Sequence, residues 1–443
     1  MPTSASVDPP RPPVHECDVL VVGGGPSGSA ASYWLASGGV DVLCVEKKHF
    51  PREKTCGDGL TPRSVKQLRD MGLEDALAGN HRYEGLRSCA FGKELEMAWP
   101  EHPDFPSYGY TITRYELDEL VNEHAQKAGA VVWQGCEAVE PLAPASGEQV
   151  RKRAGGAIVV DKQRGTRSQV RAKYVIVADG SLSRFGRALG TSRDKSYPQG
   201  MAIRGYFKSP RHDDPYIESH LDIRDRQGNV VPGYGWIFPL GDGRLNVGIG
   251  LLSTSDRWKG LNTSKLMEEF VHFAPRSWCI SPKTACSEPT GGRLPMSLAV
   301  GPRLGDDYVV VGDAAAAINP FNGEGIAYGW ETGRLAAEVV TAALACQDPA
   351  EGRLALASYE QRLQEDYGRY YAIARAFVRM IEDPRLMRSM VALGMYAPPV
   401  MKGVLRIMAN LSRPDRLTGA DGAYRALDKI VEIRQRRRQL VAG

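Results

Sequence analysis

A glycine-rich turn near the start of the chain has the residue types and spacing that hold a pyrophosphate. The pattern GxGxxG begins at Gly23, directly after a β-branched run, and opens a helical segment. Its glycines permit a tight turn, a close approach of pyrophosphate to the backbone, and close packing of helix on strand. Glu46 ends the next predicted strand, where a carboxylate accepts hydrogen bonds from ribose hydroxyls and repels a 2′-phosphate. We therefore predict a site for FAD or NAD rather than NADP. Its residues are Gly23, Gly25, Pro26, Ser27, Gly28, Glu46 and Lys47. The alternative is a glycine turn with a purely structural role.

A second glycine-rich segment far along the chain has the features of a flavin contact. A buried run ends at Gly312-Asp313, and the loop Asn319-Pro-Phe-Asn-Gly-Glu-Gly325 leads into a helical pattern. Asp313 is placed to bind a ribityl hydroxyl, and the backbone of 322–325 to face the N1/O2 edge of a flavin. The positive end of the helix stabilises an anionic reduced ring there. The predicted contacts are Gly312, Asp313, Pro320, Gly323, Gly325 and Ile326. A glycine turn capped by Asp313 is the alternative.

A third segment, Ala178-Asp179-Gly180, follows another apolar run. Together with the two glycine motifs it resembles the aromatic-hydroxylase-like group of flavoproteins. That resemblance implies one discontinuous Rossmann-like domain that binds FAD, with Ala178, Asp179 and Gly180 at the cofactor. It also implies that Arg114 lies near the pyrophosphate, although a surface residue at a helix start is the alternative. The chain has no second GxGxxG, which agrees with a group that lacks a separate NAD(P)H domain.

Two further stretches resemble the geranylgeranyl reductase family. They are the loop Phe50-Pro-Arg-Glu-Lys-Thr-Cys-Gly-Asp-Gly-Leu60 and the strand pattern Tyr234-Gly-Trp-Ile-Phe-Pro239 with a later Gly248-Ile-Gly250. The resemblance implies an FAD-dependent reductase that saturates an isoprenoid double bond of a prenyl lipid. It is strongest to bacterial members that act on one isoprene unit of menaquinone. It places five loop residues at the cofactor, namely Arg52, Cys56, Gly57, Asp58 and Gly59.

The chemistry of an isolated alkene suits the residues of those stretches. A hydride from N5 of reduced FAD adds to one carbon and a proton to the other, and the developing cation needs a dry, aromatic environment. Tyr234, Trp236 and Phe238 alternate along a predicted strand and so project from one face. Cys56 is a neutral thiol in a glycine loop that suits an apolar site. We predict these four as catalytic, with an ordinary sheet core and a small buried thiol as the alternatives.

Other reactions remain open at the level of sequence. A flavin monooxygenase or halogenase acting on an aromatic substrate has the same fold, and fold does not decide function. Halogenases usually carry WxWxIP, and here Tyr234 and Phe238 replace two of those residues. A geranylgeranyl lipid is the alternative prenyl substrate, and a flavin-carrying binding protein is the non-enzymatic alternative. The electron donor is either NADPH or a redox protein.

The elements that must position these groups follow from the pattern of apolar runs. We predict an α/β fold with an inserted β-rich domain, in which the discontinuous Rossmann-like FAD domain joins a mixed substrate sheet and a helical C-terminal part. The predicted units are a disordered arm over 1–15, an FAD domain from 16–85, 108–195 and 300–350, a substrate-binding antiparallel sheet from 86–107 and 196–299, and a helical region over 351–443.

Composition and charge exclude several classes of protein. With 42% hydrophobic and 24% charged residues the chain is globular, and no apolar run is long enough to cross a membrane. The eight cysteines form no CxxC pair and the eight histidines no HExxH, so no metal site is predicted. The polar N-terminus lacks the features of a signal peptide, and we expect a reducing cytoplasm.

The C-terminal end is basic. Residues 402–438 hold ten Lys or Arg and four Asp or Glu, and the helical pattern over 401–411 is amphipathic and rich in methionine. We predict peripheral association with the inner face of the cell membrane, helped by the tail Arg434–Arg438. A core-packing helix with a solvated basic face is the alternative. Nucleic acid is not expected as a partner, because the basic run has no interleaved aromatic residues.

Overall fold

The fold was analysed in a computed structural model of the chain. It describes residues 13–142, 153–231, 233–252, 262–381 and 383–412, with the single residues 419, 422 and 429. In chain order the strands are β1 (Val14–Val22), β2 (Val42–Glu46), β3 (Gly59–Leu60), β4 (His81–Tyr83), β5 (Gly85–Ala90), β6 (Lys93–Ala98), β7 (Gly109–Thr111), β8 (Val131–Gln134), β9 (Cys136–Pro141), β10 (Gly156–Asp161), β11 (Arg167–Val177), β12 (Ser192–Arg193), β13 (Gln199–Lys208), β14 (Tyr216–His220), β15 (Gly233–Pro239), β16 (Arg244–Leu252), β17 (Thr290–Pro295), β18 (Val300–Gly301) and β19 (Tyr308–Val310). The helices are α1 (Pro26–Ser37), α2 (Pro62–Asp70), α3 (Arg114–Lys127), α4 (Arg184–Ala188), α5 (Thr263–Phe273), α6 (Ile326–Ala345), α7 (Pro349–Leu363), α8 (Arg369–Ile381), α9 (Pro384–Tyr396) and α10 (Pro398–Met408).

The first sheet is built around the β-branched runs that the sequence predicts as buried strands. Its order is β8-β2-β1-β11-β10-β9, and β19 pairs with the end of β11. β1 runs parallel to β2 and β11, and β19 runs parallel to β11, whereas β9 and β10 extend the sheet in antiparallel fashion. Every residue of β2 and of β19 is buried, as expected for strands covered on both faces. The discontinuous α/β arrangement therefore has the expected form.

Helices α1 and α6 pack against each other with very little space between their backbones. A Cβ on Gly333 would lie 2.3 Å from the carbonyl oxygen of Ser27, and one on Gly329 would lie 2.8 Å from its Oγ. Glycine at these two positions lets the helix backbones approach each other. The contact joins the helix that follows the first glycine motif to the helix that follows the last.

The second large sheet combines segments that the sequence assigns to a separate unit. Its order is β17-β13-β16-β15-β14-β5-β6. All its neighbours are antiparallel except β14 and β5, which run parallel, so the sheet predicted as antiparallel is mixed. One face packs against α5 around Trp278 and Phe270. A small sheet, β3-β7-β4, lies near its edge.

Several local expectations need correction. Val14 and His15, placed by sequence in a disordered arm, begin β1 because they pair with Gln169 and Val170 of β11. The glycine and proline content of 51–62 predicts a loop without regular structure, but this segment contains β3, because Gly59 and Leu60 pair with β7. The sequence also predicts an exposed loop over 143–156, and this loop and the tail Arg434–Arg438 lie mainly or wholly outside the described residues.

The C-terminal helices pack on both sheets. The amphipathic segment predicted to face a membrane is largely buried, because Met401 and Leu405 of α10, and Leu411 beyond it, join an apolar cluster with Tyr83 and Trp99. The core-packing alternative therefore describes α10. Among the described residues, none of the helices has both the length and the apolar character that a membrane-spanning segment requires.

Candidate functional site

The predicted cofactor motifs meet at one edge of the first sheet. Val22 pairs with Val45 and with Val177, and Val177 pairs with Val310. The segments that follow β1, β2, β11 and β19 therefore leave the sheet side by side. Ligands of open α/β sheets bind at this carboxyl edge. Sheet pairing thus brings together motifs that lie almost three hundred residues apart in sequence.

The first glycine turn has the geometry that its residue types predict. Gly23 has φ +103°, and a Cβ there would lie 2.4 Å from the carbonyl oxygen of Ala178. A Cβ on Gly28 would lie 1.8 Å from the carbonyl oxygen of Gly23. Gly25, Pro26 and Ser27 are partly exposed and line the open edge. The backbone is therefore free to approach a ligand at the N-terminus of α1.

Charged side chains converge beside this turn. The N–H of Gly24 donates to Glu46 Oε2 at 2.9 Å, and Arg52 Nη2 lies 3.7 Å from the same oxygen. Arg52 Nη1 lies 3.0 Å from Asp118 Oδ2, and Arg114 donates to both oxygens of Asp118 at 2.7 and 2.8 Å. Arg52 and Arg114 are thus held as a pair by one buried aspartate. The exposed Lys47 lies outside this cluster.

The second motif lies against the first. A Cβ on Gly312, which has φ +57°, would lie 1.9 Å from Ser27 Oγ. The Asp313 carboxylate has no hydrogen-bond partner among the described residues and is partly exposed at this edge. Burial raises its pKa, whereas Lys54 and Arg114 lower it. A Cβ on Gly325 would lie 3.5 Å from Asp313 Oδ1, so the carboxylate and the loop before α6 face each other.

The residues present fit a dinucleotide. Asp179 Oδ2 accepts from the N–H of Phe185 at 2.9 Å, whereas its buried Oδ1 has no hydrogen-bond partner among the described residues. Arg52 Nε is also buried without a partner among the described residues. Orphaned buried polar atoms are rare unless a ligand satisfies them. They lie beside glycine turns that any side chain would fill, which is the environment that a pyrophosphate and its riboses require.

The loop before α6 contains a buried carboxyl group that the sequence motif does not explain. Thr61 and Ser64 of the α2 start donate to Glu324 Oε1, and Oε2 is buried without a partner. Burial raises the pKa of Glu324, although the hydroxyl of Thr61 and the charge of Arg63 lower it. The carboxyl group lies next to the predicted flavin-facing loop.

The predicted catalytic cysteine is close to this edge. Cys56 is partly exposed, and burial of the sulfur raises its pKa, whereas the charge of Arg114 lowers it. Asn246 Nδ2 donates to the Cys56 carbonyl oxygen at 2.8 Å. The thiol therefore carries its proton at neutral pH, and its backbone is tied to β16 of the second sheet.

The three predicted aromatic residues form a continuous wall along β15. Ring centroids are 5.9 Å apart for Tyr234 and Trp236, and 6.3 Å apart for Trp236 and Phe238. The glycine pattern on β16 makes room for them, since a Cβ on Gly248 would lie 2.3 Å from the Trp236 ring. Tyr234 donates its hydroxyl to the Asn322 carbonyl oxygen at 2.7 Å, which links the wall to the loop before α6.

The cysteine loop packs directly on the wall. A Cβ on Gly57 or on Gly59 would lie 3.1 or 3.2 Å from the Phe238 ring, so a side chain at either position would press on that ring. Trp236 Nε1 donates to Asn246 Oδ1 at 2.8 Å. One asparagine thus holds the cysteine loop and the aromatic wall together. The wall therefore contacts both the Cys56 loop and the segment before α6.

Asp58, predicted at the cofactor, is fully buried beneath the loop. Its Oδ2 accepts from Tyr206 at 2.6 Å and from Asn246 at 2.7 Å, and its Oδ1 accepts from the Arg114 N–H. Burial raises its pKa to about 6, against the lowering effect of these donors and of Arg204. The side chain therefore supports the loop from behind, and its part at the cofactor stays a prediction.

Sequence reasoning missed Tyr206, Asn246, Thr61 and Glu324. Asn246 gave a usable signal, because a lone amide inside the apolar run of β16 must find buried partners. Tyr206 gave none, since its role arises only from the pairing of β13 with β16. The only sequence signal at Thr61 is the proline that follows it.

A separate cluster has the atom types of a metal site. The ligand atoms of Cys89, Glu218 and His220 lie within 4.8 Å of one another, brought together by the parallel pairing of β5 and β14. However, Glu218 already accepts from Arg87 at 2.9 Å and from Trp278 at 2.8 Å. Arg87 is thus the charge partner of Glu218, whose other oxygen lies 3.0 Å from His220 Nε2, and these groups form a buried polar network.

Comparison with known proteins gives concordant similarities. The model of the family described as FAD binding domain matches residues 16–231. The chain is 40% identical over 400 residues to a menaquinone reductase of Mycobacterium tuberculosis, covering 90% of this chain and 92% of the relative. It is 30% identical over 368 residues to digeranylgeranylglycerophospholipid reductase 1 of Methanothermobacter thermautotrophicus, covering 80% and 84%.

Solved structures share the fold. A geranylgeranyl bacteriochlorophyll reductase-like protein from Thermoplasma acidophilum superposes with a TM-score of 0.71 at 24% identity, covering 89% of this chain and all of the other. The flavin-dependent brominase Bmp2 superposes with a TM-score of 0.69 at 18% identity, covering 95% of this chain and all of the other. At these identities the likeness concerns the fold alone, and reductases and a halogenase share it.

Proposed function

The chain belongs to the geranylgeranyl reductase family of FAD-dependent oxidoreductases, and from this membership we propose that it saturates one isoprene unit of menaquinone. The relatives support a prenyl-lipid substrate, because their names place the reaction on menaquinone or on geranylgeranyl chains. The observation that carries the proposal is that the aromatic wall contacts both the Cys56 loop and the segment before α6.

The chain's own residues would hold the cofactor at the carboxyl edge of the first sheet. The turn Gly23–Gly28 would bind the pyrophosphate at the start of α1, Glu46 the adenosine ribose, and Asp313 a ribityl hydroxyl. The backbone of 323–325 would contact the flavin ring. Bound FAD, once reduced, supplies the hydride that adds to the alkene.

The remaining residues prepare the alkene and its proton. Tyr234, Trp236 and Phe238 offer ring faces that stabilise positive charge developing on the substituted carbon and keep water away. The Cys56 thiol, neutral because burial raises its pKa, holds a proton beside this wall. Transfer of that proton to the second alkene carbon completes the reduction, and solvent restores the thiol.

We further propose that the protein acts at the inner face of the cell membrane, where its substrate resides. A prenyl tail is apolar and partitions into the bilayer, and the basic C-terminal end suits anionic lipid. The electron donor would be NADPH or a redox protein.

The experiment is an anaerobic single turnover. The flavin is reduced with dithionite and menaquinone is added, after which mass spectrometry measures the lipid once the quinone ring has been reoxidised. A persistent gain of two hydrogens supports the proposal. No gain, with flavin bound and lipid dispersed, rejects menaquinone and turns the search to geranylgeranyl lipids, then to aromatic substrates with oxygen or halide.

Cysteine variants separate catalysis from structure. Cys56→Ala should keep its flavin and lose most turnover, because the proton on the thiol is absent. Cys286→Ala, at an exposed cysteine, is the matched control and should behave as wild type. Unchanged turnover in Cys56→Ala with intact flavin would remove the thiol from the mechanism.

A further inference from the structure

An exposed apolar row runs along α9 and onto α10. Leu386, Leu393, Tyr396 and Val400 are 42%, 60%, 70% and 45% exposed. At about 100° per residue, Leu386, Leu393 and Tyr396 lie within about 80° of one another on α9. We call these four residues the apolar row. Contiguous apolar surface of this kind marks an interaction site rather than ordinary solvent contact.

The opposite face of α9 and α10 is also apolar and is buried against the rest of the protein. Met387, Met395, Met401 and Leu405 are each 7% exposed or less. Core packing therefore does not require the apolar row, which is an additional apolar face. The periodicity of apolar residues does not show which of two apolar faces is buried. For this reason the sequence predicts the membrane contact on α10.

The charged residues of α9 and α10 are all basic. Between Pro384 and Met408 the chain contains Arg385, Arg388, Lys402 and Arg406 and no aspartate or glutamate. Arg385 projects within about 20° of Tyr396 on the helical wheel. Lys93 from β6 adds its Nζ at 3.3 Å from the Tyr396 ring centroid. An apolar stripe bordered by cations matches the interface of an anionic bilayer.

Two acidic groups near the apolar row already accept hydrogen bonds from neighbouring groups. Asp383 caps α9 by accepting from the N–H groups of Arg385 and Leu386. Glu96 of the neighbouring β6 accepts from Arg87. A second copy of the chain placed on the row would bring like charges together, whereas anionic lipid neutralises them. Charge therefore favours a lipid surface over self-association.

Apolar packing continues from the apolar row towards the aromatic wall. Met395, Met401 and Leu405 belong to the same cluster as Phe105 and Phe238. Phe238 is the residue of the wall that contacts the Cys56 loop. The helices that present the row outward therefore join, on their inner face, the side chains that lead to the candidate site.

We propose that the apolar row and its bordering cations rest on an anionic lipid bilayer and set the direction from which a prenyl chain approaches the wall. The direction of approach rests on the proposed function, whereas the contact with the bilayer does not. The row, rather than the apolar side of α10, is then the membrane-facing surface of the described chain.

The test is vesicle flotation of the full chain with FAD bound. The probes are vesicles of phosphatidylcholine alone and of phosphatidylcholine mixed with phosphatidylglycerol. We expect binding to the mixed vesicles that weakens with salt, and much weaker binding to the neutral ones. Leu393→Asp with Tyr396→Asp should lower the partition coefficient at least about tenfold, and Arg385→Gln about fivefold.

The matched control is Leu354→Asp on α7, where an equally exposed leucine, at 74%, lies outside the row. It should bind vesicles as wild type does. Flavin content and thermal unfolding check that every variant is folded. Equal binding by the Leu393→Asp and Tyr396→Asp double variant and by wild type would overturn the proposal, as would equal binding of wild type to neutral vesicles.

Two further outcomes are informative. If light scattering finds a wild-type dimer that the double variant loses, with no binding to vesicles, the row is an interface between copies and the proposal fails. Flotation needs no substrate, so a protein that binds vesicles but leaves menaquinone unreduced would reject the proposed function alone. With detergent-dispersed substrate, the double variant should turn over as wild type does.

Discussion

Asp58 shows how a single buried carboxylate can make stability depend on pH. Burial raises its pKa from 3.8 to about 6 although Tyr206 and Asn246 donate to it. A raised pKa in the folded state means that folding favours the protonated form. The associated stability is present below about pH 4 and is lost as pH rises to about 6, amounting to about 3 kcal/mol.

Asp58→Asn should remove that dependence. The difference in unfolding free energy between variant and wild type should shift in favour of the variant by about 3 kcal/mol between about pH 4 and about pH 7. Urea unfolding across this range measures it. Asp75→Asn, at an exposed side chain, is the control and should show no such change. A constant difference for Asp58→Asn would mean that the carboxylate keeps an ordinary pKa.

Gly28 offers a prediction about the cofactor site. A Cβ there would lie 1.8 Å from the Gly23 carbonyl oxygen, so Gly28→Ala must separate the glycine turn from α1. We expect flavin content to fall sharply and stability to drop by about 1–3 kcal/mol. Flavin absorbance per protein measures the first effect. Gly79→Ala, where nothing lies within 4 Å, should keep its flavin; equal flavin in both variants would contradict the argument.

At the residue scale, prediction from sequence succeeded where backbone geometry dictates residue type. Gly23 and Gly28 are recognisable because only glycine fits, and the alternation of Tyr234, Trp236 and Phe238 follows from the period of a strand. Asp58 could not be resolved in the same way. Which way its side chain turns depends on Tyr206 and Asn246, which reach it from another sheet.

At the element scale, the contact between α1 and α6 depends on glycine residues, which have no side chain to separate the helices. A Cβ on Gly333 would lie 2.3 Å from the Ser27 carbonyl oxygen. Gly333→Ala should therefore destabilise by about 1–3 kcal/mol, although alanine favours a helix over glycine by about 1 kcal/mol. Denaturant unfolding measures the loss. Thr341→Ala, on the exposed side of α6, should be neutral or slightly stabilising. A stabilised Gly333→Ala would show that the helices can move apart freely.

Elements with one apolar period were predictable, and those with two apolar faces were not. The apolar runs Cys17–Val22 and Val40–Glu46 and the helical pattern from about Gly325 predict β1, β2 and the start of α6 closely, because each has a single clear pattern. For α9 and α10 the pattern shows that apolar residues recur, but only packing against Tyr83 and Trp99 decides which of them are covered. The parallel pairing of β14 with β5 is likewise invisible in sequence, because the two strands lie far apart along the chain.

At the scale of the whole molecule, the proposed FAD site combines segments that meet at one edge of the first sheet. The turn after β1, the segment after β11 and the loop before α6 would all contact it. Removal of FAD should therefore lower the melting temperature, and added FAD should restore it. Saturation at about 100 times the dissociation constant contributes about 2.7 kcal/mol.

Thermal scans of flavin-free protein across FAD concentrations check this. The melting temperature should rise continuously with FAD, by a few degrees in all, because a chain of this size has a large unfolding entropy. Riboflavin, which lacks the pyrophosphate, is the control ligand and should raise it much less. A melting temperature that does not respond to FAD would place the cofactor away from this edge.

The contact of Gly312 with Ser27 has a consequence for biosynthesis. A ribosome must extend the chain through β19 and the loop before α6 before the pocket has its last wall. If FAD binds at this edge, chains that end before the start of α6 would lack a complete flavin site, however well β1 and α1 have formed. Flavin bound to the purified polypeptide would then report translation at least as far as the start of α6.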